Sequence, residues 1–255
     1  MREFKKENLE VKIFETRALM GAAAASAVAN KIAELLKKKE MVNIVFAAAP
    51  SQNEFLAELA KKQVDWKRIN AFHMDEYVGL KNDAPQLFGN FLKERIFGEV
   101  PLRNIFYMNG SATDLDQECK RYAELLQKYP TDIVFLGIGE NTHVAFNDPH
   151  VADFNDPVMV KIVDLDEKNR WQQVDPDDPS CFNHIEEVPT HAITLTVPAL
   201  FESDYAYAIA PGEKKADAIY HTLTDEIQEK YPSTIFRKHR NAALFIDEKS
   251  AAKLT

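Results

Sequence analysis

The sequence predicts an α/β fold: a doubly wound, mostly parallel sheet with helices on both faces, Rossmann-like, in a single domain over residues 1–255. Three observations carry this expectation. Short apolar runs rich in β-branched and aromatic residues alternate with stretches of helical periodicity. The runs are apolar at successive positions, as strands buried on both faces require. Composition is ordinary for a globular chain, with 45% hydrophobic and 28% charged residues over 255 positions, enough to bury a large core without staples.

The first strand is expected at Val11–Phe14. A helix follows over Arg17–Lys39, with Ile32, Leu35 and Leu36 at helical spacing and a lysine-rich end that complements the helix dipole. Asn43–Ala48 is a buried strand, broken by Pro50 and Ser51, and a helix starts near Asn53. Asn70–Met74 reads as a strand and Gln86–Phe97 as a helix. Ile105–Met108 is a strand, Leu115–Lys128 a helix, and Asp132–Ile138 another buried strand that ends in glycine. Val158–Val163, His191–Val197 and Tyr205–Ala210 are strands, Lys214–Leu223 is a helix, and Ala242–Ile246 closes the series. Residues 147–189 are rich in Asp, Asn and Pro and form the irregular segment, a candidate lid over a site.

A net charge of -9 argues against a nucleic-acid partner, which needs a basic face. An anionic small molecule remains admissible, because backbone N–H groups and one or two cations hold a phosphate locally. Met1–Leu9 is charged and has no apolar signal segment, and the apolar runs are shorter than a membrane span, so a cytoplasmic location with no membrane partner is expected. Cys119 and Cys181 have neither CxxC nor zinc spacing and read as reduced thiols.

Ligands bind at the carboxyl ends of strands in open α/β sheets. Four such ends stand out. Ala49-Pro50-Ser51-Gln52 lies between a strand and a helix, where free N–H groups and the Ser51 hydroxyl make a phosphate cradle or a plain helix cap. Asp75 and Glu76 follow a strand, and a carboxylate placed there can take a proton beside a carbonyl. Gly137 and Gly139 open a GxG turn, but Thr142 holds the third glycine position, so a dinucleotide cofactor is not expected. His143 and Asp148 follow in that turn, a proton shuttle with a carboxylate able to fix its tautomer. Lys215 stands at a helix start after Tyr205–Ala210, in reach of a phosphate.

The order FHMDEYVGL, FLGIGENTHVAFNDP, VPTHAITLTVPAL and GEKKADAI resembles the glucosamine-6-phosphate deaminase (glucosamine-6-phosphate isomerase) family, in collinear order over nearly the whole chain. Its superfamily includes the 6-phosphogluconolactonases, which usually carry arginine where this chain has Tyr77. The resemblance implies conversion of glucosamine 6-phosphate to fructose 6-phosphate and ammonia, with no metal and no organic cofactor. It implies Asp75 as the base at C2, His143 as the ring-opening group, and Asp148 as its acidic partner. Lys215 matches the phosphate-contacting lysine, and Ser51 and Gln52 lie in the phosphate loop, with Gly137 and Gly139 in the substrate-binding turn. The partner implied is a small sugar phosphate, and a homo-oligomer stays open.

The chain departs from the family pattern. Asn141 stands where an aspartate is usual, Asp148 where glutamate is common, and AAAPSQ replaces a glycine-rich loop. The family's upstream phosphate arginine has no counterpart, and Arg237 is the candidate substitute. Two alternatives follow: a phospholactone hydrolase using His143 alone, and a non-catalytic sugar-phosphate binder.

Overall fold

The computed structural model describes residues 1–254. Its core is an eight-stranded sheet in the order β1-β2-β11-β10-β7-β3-β4-β6. The strands are β1 (Arg2–Lys6), β2 (Leu9–Phe14), β3 (Val42–Phe46), β4 (Ile69–His73), β6 (Asn104–Phe106), β7 (Ile133–Leu136), β10 (Tyr205–Ile209) and β11 (Ala242–Asp247). Every pairing is parallel except β1 with β2.

The successive apolar positions in the strands feed two cores. Ile44 and Phe46 of β3, Ile133 and Phe135 of β7, and Phe245 of β11 point to one face. They meet α1 (Arg17–Leu36), α2 (Asn53–Ala60) and α3 (Phe88–Leu92). Val45, Val134, Leu136 and Leu244 point to the other. There they meet α4 (Leu115–Lys128), α6 (Val197–Phe201) and α7 (Ala216–Thr224). Side-chain alternation with period two thus gives each face its own apolar layer. By length and composition α1 matches a membrane span, but its apolar stripe of Met20, Ala24, Val28 and Ile32 is buried against the sheet and α2. Gly21 lets α1 lie close against α2: a Cβ there would fall 2.8 Å from Glu54 Cβ and 2.9 Å from its backbone carbon.

The expected α/β class stands, with corrections. The chain forms β1, which the charged Arg2–Lys6 stretch did not announce; it is an exposed edge strand in a hairpin with β2. The expected strands at Val158–Val163 and His191–Val197 are β8 (Val160–Asp164) and β9 (His191–Leu195), outside the parallel sheet. With β5 (Asp75–Tyr77) they form a separate three-stranded antiparallel sheet, β5-β9-β8. The connection between β8 and β9 carries only the six-residue α5 (Glu167–Gln172) and a short 3-10 turn at Ile185–Glu187, and the two strands run antiparallel. The expected helix Gln86–Phe97 begins at Phe88 and continues past Leu92 as a π-type turn.

Topology fixes where a site forms. From β3 the chain steps outward to β4 and β6, then returns to β7 on the other side of β3. Ligands bind at such a switch point, beyond the carboxyl ends of the strands.

Candidate active site

A cavity of about 370 Å³ opens at this point, within the range of small-molecule sites. Its wall is built from segments following β3 (Ala47–Ser51), β4 (Met74, Asp75), β7 (Gly137–Glu140) and β10 (Pro211–Lys215). The 147–189 segment closes one side with Gln172, Gln173, Asp175 and Cys181.

Asp75 and Glu76 separate by strand alternation. Asp75 is 6% exposed, lines the cavity, and its carboxylate has no hydrogen-bond partner among the described residues. Burial, with the Glu76 charge second, holds its pKa well above the ordinary carboxylate value. Glu76 points away and accepts the backbone N–H groups of Tyr77 (2.9 Å), Phe88 (3.0 Å) and Gly89 (2.9 Å), which anchors the start of α3. Burial pushes its carboxyl up to about 7 against the pull of those three donors. His73 braces the bend between β4 and β5: Met108 N–H donates to Nε2 (2.9 Å), so Nδ1 carries the proton and donates to the Asp75 carbonyl (2.8 Å). Burial lowers the His73 pKa to about 4 and keeps it neutral.

The turn after β7 holds His143. Thr142 (φ 70°) and Ala145 (φ 49°) take left-handed backbone conformations on either side of it. Such positions cost roughly 1–3 kcal/mol each and persist where the surroundings dictate them. Here the dictate is visible: Gly139 N–H donates to the His143 carbonyl (2.9 Å), and the imidazole lies over Gly139. A Cβ on Gly139 would fall 2.1 to 2.3 Å from three ring atoms, so no other residue fits. Gly137, by contrast, would meet Ser51 Oγ and Gln52 Nε2 at 3.7 Å, an ordinary contact.

Behind the ring sits a polar network. His143 Nδ1 lies 2.6 Å from Asn141 Oδ1 and 3.2 Å from Asp148 Oδ1. Asp148 is fully buried and accepts Asn141 Nδ2 (2.9 Å), Asn169 Nδ2 (2.9 Å) and the Asp166 N–H (3.1 Å). Burial works to raise its pKa, but the His143 ring, Asn141 and the Asp166 N–H outweigh it and hold the carboxyl below the ordinary range. Asp148, His150 and Asp166 each bring a ligand atom within 4.8 Å of the others. Both carboxylates are already engaged by the asparagines and backbone, which leaves the group poorly suited to a cation.

The opposite wall is cationic. Lys215 ends the 3-10 turn Glu213–Lys215 that leads into α7. Its Nζ donates to Gln172 Oε1 (3.1 Å), which also accepts the Glu140 N–H (2.7 Å). Burial lowers the Lys215 pKa to about 8, with Glu140 opposing and Lys214 and Lys168 reinforcing the shift. Ser51 borders the cavity. Gln52 stands behind it, wholly buried, and donates to Ser51 Oγ (3.1 Å) and the Ile209 carbonyl (3.1 Å), so it ties the loop to β10 and does not reach the cavity.

Arg17, at the start of α1, also lines the cavity; it donates to the Pro50 carbonyl and pairs with Glu54 at 2.6 Å. The expected substitute cation, Arg237, is elsewhere. It is buried beneath the β1–β2 turn, 3.2 Å from Glu7 and donating to the Asp225 carbonyl (2.6 Å). Sequence reasoning thus missed Arg17, Asp166, Asn169 and Gln172. Arg17 had a local signal, a cation one residue past the Thr16 N-cap. Asp166 had the capping pattern of an acidic residue opening a helix.

These features define an α/β protein in which a buried carboxylate and a histidine face a lysine and an arginine across one cavity. The model of the family described as glucosamine-6-phosphate isomerases/6-phosphogluconolactonase matches residues 15–245, and the chain belongs to this family. Among its relatives is a glucosamine-6-phosphate deaminase of Bacillus cereus (strain B4264), 34% identical over 219 residues, covering 86% of this chain and 80% of the relative. A monomeric glucosamine-6-phosphate deaminase superimposes with a TM-score of 0.85 at 27% identity, covering 95% of this chain and 98% of that one. A 6-phosphogluconolactonase from Thermotoga maritima shares the fold, with a TM-score of 0.73 at 21% identity and 93% and 98% coverage.

Proposed function

We propose that the chain is an aldose–ketose isomerase that deaminates a hexosamine 6-phosphate, with glucosamine 6-phosphate as the substrate and fructose 6-phosphate and ammonia as the products. One observation carries the reading: a buried carboxylate with no hydrogen-bond partner among the described residues, Asp75, shares a cavity with His143 on one side and Lys215 and Arg17 on the other.

The reaction follows from that layout. Lys215, Ser51 and Arg17 hold the phosphate, Lys215 as a point charge in a low-dielectric pocket. With Nδ1–H directed at Asn141 and Asp148, His143 has Nε2 free to take the C1 hydroxyl proton and return it to the ring oxygen, which opens the ring to the aldehyde. Asp75 then removes the proton from C2, whose acidity comes from the adjacent carbonyl; the electron pair moves to O1, which takes a proton from water, and an enolamine results. Return of the proton to C1 gives the C2 imine. Water adds to that imine, and the carbinolamine expels ammonia to leave the ketone.

Every step is a proton transfer or the addition and loss of a small molecule, so the chemistry asks for neither metal nor organic cofactor. The 147–189 segment acts as the lid, since it supplies one wall and contacts Lys215 through Gln172. The reading carries a cytoplasmic setting and no nucleic-acid or membrane partner. The lactonase alternative needs only His143 to activate water and leaves Asp75 without a task. The test is ammonia release from glucosamine 6-phosphate and galactosamine 6-phosphate, against hydrolysis of a 6-phosphogluconolactone. Ammonia from either amino sugar supports the reading; lactone hydrolysis without it overturns the reading.

A further inference from the structure

Asn141 is a neutral residue held between two carboxylates. Its Nδ2 donates to Asp148 Oδ1 (2.9 Å) and to Asp166 Oδ2 (2.6 Å). Its Oδ1 accepts both the His143 backbone N–H (3.1 Å) and the ring Nδ1 (2.6 Å). The amide has one admissible orientation. Turned over, it would aim an oxygen at two carboxylates and an NH₂ at a backbone donor. An oxygen facing Nδ1 in turn requires the ring proton on Nδ1 and the lone pair on Nε2.

We propose that Asp166 is a positioning residue for the reaction: it clamps the Asn141 amide and so sets the tautomer and tilt of His143. The assignment is specific to this chain, because it is the neutral amide at 141 that has an orientation to be set. An aspartate there would present oxygens on both sides and need no clamp.

The geometry separates this role from a structural one. Asp166 uses Oδ1 to cap α5, accepting the Asn169 N–H (2.6 Å), and Oδ2 to hold Asn141. Serine offers a single oxygen and is as good an N-cap as aspartate. Asp166→Ser therefore keeps the cap and removes the clamp. The Asp166 N–H that serves Asp148 is backbone and stays. Other ionisable groups near the ring are Asp148 behind it, His150 within the same carboxylate cluster, and Asp75, Glu140 and Lys215 around the cavity. None of them contacts the Asn141 amide except Asp148.

The inference rests on the deaminase reading for its kinetic arm alone. The first measurement is ¹⁵N NMR of the imidazoles at neutral pH, with His143 assigned through His143→Gln. In the parent protein His143 is the Nδ1–H tautomer; in Asp166→Ser a second population with the proton on Nε2 emerges. In the kinetic arm kcat falls on the order of tenfold with KM held, the scale of losing a group that orients a histidine. Asn141→Asp supplies the discriminating comparison. Alone it sets a third carboxylate against Asp148 and Asp166 and lowers kcat. In the Asp166→Ser background it costs less, since only Asp148 still faces it. A His143 tautomer unchanged in Asp166→Ser overturns the proposal whatever the melting temperature does, as does an Asn141→Asp loss that is as large in the Asp166→Ser background as in the parent. If the chain releases no ammonia at all, the NMR arm still decides.

Discussion

Gly139→Ala is the sharpest perturbation this site allows. The added methyl would sit 2.1 Å from His143 Cε1, 2.2 Å from Nδ1 and 2.3 Å from Nε2. Ordinary contact begins at 3.4 Å, so the ring must retreat by about 1.3 Å. It has no slack behind it. Asn141 Oδ1 is 2.6 Å and Asp148 Oδ1 3.2 Å from Nδ1. The turn cannot yield cheaply either, as Thr142 and Ala145 already hold left-handed conformations. A misplacement of ~1 Å in a reacting group costs on the order of 10²-fold in rate, or about 2.7 kcal/mol of transition-state stabilisation. The assay is coupled ammonia release from glucosamine 6-phosphate, reported as kcat/KM beside a thermal melt. Gly137→Ala is the contrast, since its methyl meets only side-chain atoms at 3.7 Å and loses far less. A folded Gly139→Ala protein with kcat/KM within twofold of the parent would show that the placement of His143 does not depend on Gly139.

Asp75→Asn lowers kcat by roughly 10²–10⁴-fold with KM little changed, because it removes the base and not the phosphate site; single-turnover kinetics and product inhibition separate the two. The pH profile of kcat/KM has its acid limb well above an ordinary aspartate, since Asp75 must ionise, and loses it in that variant. Its basic limb falls above about pH 8, where free-enzyme Lys215 gives up its proton and the phosphate loses its cation. Lys215→Arg, always protonated, moves that limb out of the measurable range. Arg17→Ala raises KM for the phosphorylated sugar with kcat largely kept, and also loosens the Pro50 loop that Arg17 holds. Gly21→Ala forces α1 away from α2 and costs about 1–3 kcal/mol, a drop of several degrees in melting temperature by calorimetry.

The sequence was readable where one physical signal dominated. Of the doubly buried strands, β7 is apolar at every position and β3 at all but Asn43, and their helices carry the complementary stripe. Leu115–Lys128 has both an Asp114 cap and strong periodicity, and its limits are those expected. Asp75 and His143, expected from the rule that strand ends carry chemistry and from collinear motifs, line the cavity, and Asp148 lies behind the His143 ring. The misses have a common cause: their roles are set by distant partners. β5 is three residues long and exists through pairing with β9, far along the chain. Arg2–Lys6 is a strand through β2 alone. Asp166 approaches Asn141 from a helix cap 25 positions on, and Gln172 reaches Lys215 across 43. Gln52 sits in the right loop, but its amide turns to the Ile209 carbonyl, an outcome of packing that loop composition does not encode.

In the proposed reaction Asp75 moves the C2 proton of an amino-sugar phosphate within this cavity. The most direct test follows hydrogen exchange in D₂O by ¹H NMR, using glucosamine 6-phosphate carried to partial conversion by the parent protein and by Asp75→Asn. Deuterium is expected at C1 of the fructose 6-phosphate, or at C2 of recovered substrate, with the parent protein and none with the variant. Exchange that continues at the parent rate in Asp75→Asn, or no loss of the C2 proton with folded parent protein, rules out this role for Asp75.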